Sequence, residues 1–136
     1  MTLRVCAVIP SRNHYLALAD TVQQLRAVGL AVMIVDDGSD EPGRSAIAEL
    51  HRPDDLVTVI RLPGNEGKGS AVLAGARQAD AAGFTHVFQV DADGQHDLAH
   101  VDQLLALGAA HPEALILGYP VYDRSVPTAR ARSADS

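Results

Sequence analysis

The most informative polar run in the chain is Val90-Asp91-Ala92-Asp93-Gly94-Gln95-His96-Asp97. Asp91 and Asp93 stand two apart, and in an extended segment such residues fall on one side of the backbone. Two carboxylates so placed repel each other unless a cation lies between them. Hard oxygen donors suit Mg²⁺ or Mn²⁺, ions commonly held by one or two carboxylates that leave positions for substrate phosphates. Gln95 can add a neutral oxygen ligand. The plain alternative is a turn after a strand, where Asp and Gly are favoured for backbone reasons alone.

Three further runs carry polar chemistry. Asp36 in Val35-Asp36-Asp37-Gly38-Ser39-Asp40 can accept a hydrogen bond from a base or a ribose, although the same run reads equally as a turn with Ser39 or Asp40 capping the next segment. Gly64-Asn65-Glu66-Gly67-Lys68-Gly69-Ser70 invites comparison with a phosphate loop, but Leu62 stands where the first Gly is required and Gly69 where Ser or Thr is required. It can still offer backbone N–H groups and Lys68 to an anion at a helix N-terminus, or serve only as a loop with close-packing glycines. Pro10-Ser11-Arg12-Asn13-His14 is the fourth. His96 and His100 are four apart, but no HExxH motif frames them, and a zinc hydrolase is the minor reading. There is no GxSxG elbow, and Cys6 lies inside an expected strand, which leaves nucleophilic catalysis without support.

All four runs follow short apolar segments. Val5–Ile9, closed by Pro10, reads as a buried strand, followed by residues 31–35, 57–60, 87–90 and 114–117. Residues 31–35 do not alternate apolar with polar, as expected of parallel strands covered on both faces. Helical spacing lies between them. Ala19, Val22, Leu25 and Val28 precede Gly29, and a weaker helix covers 44–51. Ala71, Val72, Gly75, Ala76 and Ala79 make a small-residue face that lets a helix lie close to a sheet. Leu98, Val101, Leu104 and Leu105 repeat the pattern after Asp97. Arg26, Glu49 and Arg77 read as solvated helix faces. The alternation of strand and helix predicts an α/β fold, a Rossmann-like, mostly parallel sheet with helices on both faces. Ligands of such sheets bind beyond the carboxyl ends of the strands, where the four polar runs fall.

Composition bounds the reading. The chain has 136 residues, enough for one domain; residues 1–121 form it, and 122–136 read as a polar, disordered tail. A single cysteine excludes a disulfide scaffold. The longest apolar run, residues 31–35, is far short of the ~20 residues a membrane helix needs, and the early first strand leaves no room for a signal peptide. A net charge of −6 argues against non-specific nucleic-acid binding. These features predict a soluble, cytoplasmic protein.

Taken together and in order, VIPSRN, IVDDGSD, NEGKGSAVLAGARQA and QVDADGQHD resemble the nucleotide-sugar-binding half of family 2 glycosyltransferases with the GT-A fold. The wording of the last two is most similar to polyprenyl-phosphate (dolichol-phosphate mannose-type) sugar transferases. The resemblance runs from about Val5 to Tyr119. It implies an inverting enzyme that binds a nucleotide-diphospho-sugar with Mg²⁺ or Mn²⁺ and passes the sugar to an acceptor such as a lipid phosphate, at the inner face of a membrane. The donor residues it implies are Pro10, Arg12, His14, Ile34, Asp36, Lys68, Asp91 and Ala92, with Asp36 on the base and no definite role for Lys68. The metal ligands it implies are Asp91, Asp93 and Gln95. His14 stands where relatives usually have Glu, and Arg12 where they often have an aromatic residue. Ribose contacts at those positions are thereby in question, and Arg12 is free to meet a phosphate. The acceptor site and general base belong to a second half of the family fold that the chain is expected to lack, which exposes a face able to drive self-association. A non-catalytic nucleotide-binding or assembly module is the competing expectation.

Overall fold

A computed structural model describes residues 4–92, Ala106, Ala110, 114–116 and 130–131. The elements run β1 (Val5–Ser11), α1 (Leu18–Ala27), β2 (Ala31–Asp36), α2 (Gly43–Ala48), a 3-10 turn (Pro53–Asp55), β3 (Val57–Arg61), α3 (Lys68–Ala81), β4 (His86–Gln89), β5 (Ala114–Ile116) and β6 (Arg130–Ala131). The sheet order is β3-β2-β1-β4-β5-β6. Every pairing is parallel except that of β5 with β6, so the sheet is the mostly parallel, Rossmann-like one expected. Arg130–Ala131 fall within the segment read as a tail and pair antiparallel with β5. The expected helix over Leu98–Leu105 lies outside the described residues.

Alternation along the buried strands sends successive side chains to opposite faces. Val5, Ala7 and Ile9 of β1 join Val32 and Ile34 of β2 in the layer covered by α1 and α2, where Leu18, Val22, Leu25 and Ile47 are buried. Cys6 and Val8 join Met33 and Val35 in the layer beneath α3. That helix buries Ala71, Val72, Gly75, Ala76 and Ala79, the small-residue face expected of it. In α1 the buried set is Leu18, Thr21, Val22 and Leu25, while Ala19 and Val28 are exposed. A strict spacing of three drifts by about 60° per step on a helix of 3.6 residues per turn, which carries the two ends of the expected set off the buried face. Arg26 is not merely solvated: its Nη1 donates to the Leu30 carbonyl at 2.8 Å, and its guanidinium lies 3.6 Å from the Asp55 carboxylate.

β1 continues through Pro10 to Ser11 instead of closing at the proline. Backbone parity explains this. The Ser11 carbonyl accepts from Asp37 N on the β2 side, and the Val8 carbonyl accepts from Val90 N on the β4 side. Pro10 therefore turns its missing N–H toward β4, whose register with β1 ends at Val8.

Candidate donor-binding site

The strand order reverses between β1 and β4: the chain goes from β1 to β2 and β3 on one side, then crosses back to place β4 on the other. This is the switch point at which open α/β sheets form a crevice. A cavity of about 410 Å³ opens there. Its wall comes from four places along the chain: Pro10 and Ser11 at the end of β1 with Arg12 and His14 after it, Asp37 after β2, Asn65, Gly67, Lys68 and Ala71 around the start of α3, and Asp91 and Ala92 after β4.

The loops are locked together by their own polar groups. Asn13, in the left-handed region at φ 63°, bridges two loops. Its N–H donates to Ser39 Oγ, and its side-chain oxygen accepts from Asp40 N, each at 2.8 Å. Gly38, at φ +83°, approaches the next loop so closely that a Cβ there would lie 3.0 Å from the Gly64 carbonyl carbon. Only glycine serves at that position, for both conformation and space.

The paired aspartates after β2 have separate tasks. Asp36 is 2% exposed. One of its carboxylate oxygens accepts from Ser39 N, and the other from Arg61 Nη1, both at 2.8 Å. Arg61 also donates to the Ser39 carbonyl. Asp37 is equally buried, and its two oxygens accept from Glu66 N and Gly67 N, each at 2.8 Å. Those N–H groups stand at the start of α3, where the sequence offers backbone amides to an anion. The chain's own carboxylate fills that place, so the two amides are not offered to a ligand. The cation this loop presents is instead the Lys68 ammonium, 2.9 Å from Asp91 Oδ1. Gln89 Nε2 approaches the same oxygen at 3.4 Å.

Of the residues singled out from the sequence, Pro10, Arg12, His14, Lys68, Asp91 and Ala92 meet on the cavity wall. Ile34 and Asp36 do not line it. Ile34 is fully buried in the core, and the Asp36 carboxylate is consumed by Ser39 and Arg61. Asp93 and Gln95 lie outside the described residues. Ser11, Asp37, Asn65, Gly67 and Ala71 also line the cavity, beyond the donor residues that the resemblance implies. Asp37 was legible only as the neighbour of Asp36, since sequence does not say which of two adjacent carboxylates turns toward a crevice.

The chemistry available is that of an anion held beside a cation. Arg12 is exposed and has no ion-pair partner among the described residues; together with His14 and Lys68 it gives the wall three basic side chains. Asp91 is the carboxylate at the cavity edge, its side chain 22% exposed. Among the described residues no three or more of His, Cys, Asp and Glu gather as a metal site. Of the two carboxylates on the wall, Asp37 is committed to the Glu66 and Gly67 amides, and Asp91 is the one whose oxygen chemistry would suit a Mg²⁺-type ion that takes most of its ligands from substrate and water.

The chain is 32% identical over 119 residues to an undecaprenyl-phosphate mannosyltransferase of Micrococcus luteus, covering 85% of this chain and 48% of that protein. It is 27% identical over 101 residues to an uncharacterised protein of Methanocaldococcus jannaschii, covering 73% of this chain and 44% of the relative. The chain thus spans about half the length of the curated relatives it matches. The family model for glycosyl transferase family 2 matches residues 6–134, and with the parallel sheet and its switch-point cavity this places the chain in that family.

Proposed function

We propose that this chain binds the nucleotide-diphospho-sugar donor of an inverting sugar transferase whose acceptor is a lipid phosphate of the polyprenyl type. The observation that carries the reading is the convergence of Arg12, His14, Lys68 and Asp91 from three separate loops on one cavity at the switch point. The family match and the mannosyltransferase relative support it.

In this reading Pro10 and the loop after it flank the nucleoside. Asp36 acts through structure, holding the loops around the base rather than touching it. Asp91, with Asp93 and Gln95, holds Mg²⁺ or Mn²⁺ against the donor diphosphate. When bound, that ion supplies Lewis-acid stabilisation of the departing diphosphate. Arg12 and Lys68 add positive charge on the phosphate side. The acceptor oxygen attacks the anomeric carbon in line; the new C–O bond forms as the bond to the nucleoside diphosphate breaks, and configuration inverts.

Calorimetric titration with UDP- and GDP-sugars, with and without Mn²⁺, tests the reading. We expect Mn²⁺-dependent binding that Asp91→Ala and Asp93→Ala each weaken by at least tenfold. Binding that needs no metal and is unchanged in both variants refutes it. Turnover by the chain alone excludes the competing view of a non-catalytic nucleotide-binding or assembly module. No helix among the described residues is long and apolar enough to cross a membrane.

A further inference from the structure

We infer that Lys68 is a built-in counter-ion that occupies the cation's place on Asp91 until a divalent ion arrives, and is then displaced onto the donor diphosphate. The inference rests on the donor-binding reading above and assigns a role to a residue for which that reading has none beyond its charge.

Three observations lead to it. Lys68 Nζ lies 2.9 Å from Asp91 Oδ1, on the carboxylate that the reading gives to the metal. The two partners are unequal: the Lys68 side chain is 60% exposed, that of Asp91 only 22%. The lysine is thus a long, solvated arm on a fixed root, the first residue of α3, and its partner is the more confined member. Asp37 already takes the Glu66 and Gly67 amides that precede it, so this end of α3 is anchored whatever the ammonium does.

Exposed ion pairs of this kind are weak and easily exchanged. A divalent ion on the same carboxylate would stand a few ångströms from the ammonium, and its double charge repels the ammonium while competing for the same oxygen. The ammonium must then leave Asp91. Because Lys68 also lines the cavity, a diphosphate bound there is within the reach of its four-carbon stem. One residue thereby neutralises the carboxylate while the site is empty and the phosphates once it is filled. Metal and donor uptake are coupled as a result, since each relieves the charge that the other needs relieved.

The test uses the full chain and Mn²⁺ alone, with free Mn²⁺ read by electron paramagnetic resonance. Lys68→Met removes the competing charge and is expected to tighten Mn²⁺ binding about 3- to 10-fold. Lys68→Arg keeps the charge and should bind Mn²⁺ like the wild type, while Asp91→Asn should lose binding. With Mn²⁺ saturating, Lys68→Met is expected to bind GDP or UDP about 3- to 10-fold more weakly than the wild type. A residue that merely supported the fold would change thermal stability without tightening metal binding. Asp91-dependent Mn²⁺ binding that Lys68→Met leaves unchanged or weakens overturns this inference alone. No Asp91-dependent Mn²⁺ binding in the wild type overturns the donor-binding reading, and the inference falls with it.

Discussion

Gly75→Ala sets two well-calibrated effects against each other. Gly75 lies in the middle of α3, where alanine is the better helix former by about 0.8–1.0 kcal/mol. If helix propensity ruled, the substitution would stabilise the protein. A Cβ at this position, however, would lie 2.6 Å from Val8 Cγ1 and 2.9 Å from Val35 Cγ2. Ordinary carbon contacts are about 3.5–4.0 Å, so roughly 1 Å must be found. The two valines cannot easily supply it. Both are fully buried on the central strands β1 and β2, and β-branched side chains are stiff at χ1. Overpacking of this kind costs about 1–3 kcal/mol, more than the propensity gain. We therefore expect a net loss of up to about 2 kcal/mol, centred near ~1 kcal/mol, seen in urea denaturation followed by circular dichroism as a lower midpoint at unchanged slope. Gly69→Ala is the control on the same helix. A Cβ there meets nothing within 4 Å, and the variant should be as stable as the wild type or up to about 1 kcal/mol more stable. Adding Val8→Ala to Gly75→Ala should cost less than the sum of the single changes, because the smaller side chain makes room for the new methyl. A Gly75→Ala protein more stable than the wild type by the full propensity gain of about 0.8–1.0 kcal/mol would refute the claim that α3 is pressed onto the sheet at this point.

Two further outcomes follow from buried charge and buried sulfur. Arg61→Met leaves the nearly inaccessible Asp36 carboxylate without its cation and should destabilise the chain by about 2–4 kcal/mol in the same denaturation assay, with Asp36→Asn on top recovering part of the loss; a change under about 0.5 kcal/mol would contradict the ion pair. Burial pushes the Cys6 thiol from its ordinary 9.0 up to about 12. The folded chain therefore keeps a proton that the unfolded chain gives up. The sign is a stability that is intact below pH 9 and falls by up to about 1.4 kcal/mol per pH unit as pH rises from about 9 toward 12. The difference between wild type and Cys6→Ala in urea midpoint should shift in favour of the variant between pH 8 and pH 10, and equal shifts for both would rule the effect out.

Much of the architecture was legible one residue at a time. The apolar run at residues 31–35 announces a strand buried on both faces, because it dispenses with polar alternation, and β2 is buried throughout, whereas β3, with Thr58 and at the sheet edge, is only partly buried. The small-residue face from Ala71 to Ala79 announces a helix pressed against a sheet, because no larger side chains fit there. Harder to read were features set by angle rather than composition. The buried face of α1 was displaced by the drift between a spacing of three and the true helical turn. β1 ran on through Pro10 because strand parity aimed the missing N–H where no partner strand remains.

Residue order along this chain was enough to settle that strands and helices alternate, and that the polar runs all gather at one edge of a parallel sheet. Both follow from short-range chemistry: burial periodicity, turn residues and the single hand of the crossovers. What each charged group at that edge does was decided only by the folded chain. Asp36 and Asp37 are adjacent and identical in type, yet one is tied to Arg61 and the other clamps the start of α3. Lys68 and Asp91 are 23 positions apart in sequence and 2.9 Å apart in space. Partners of that kind are chosen by which loops the sheet brings side by side, and no local pattern of residues carries that information.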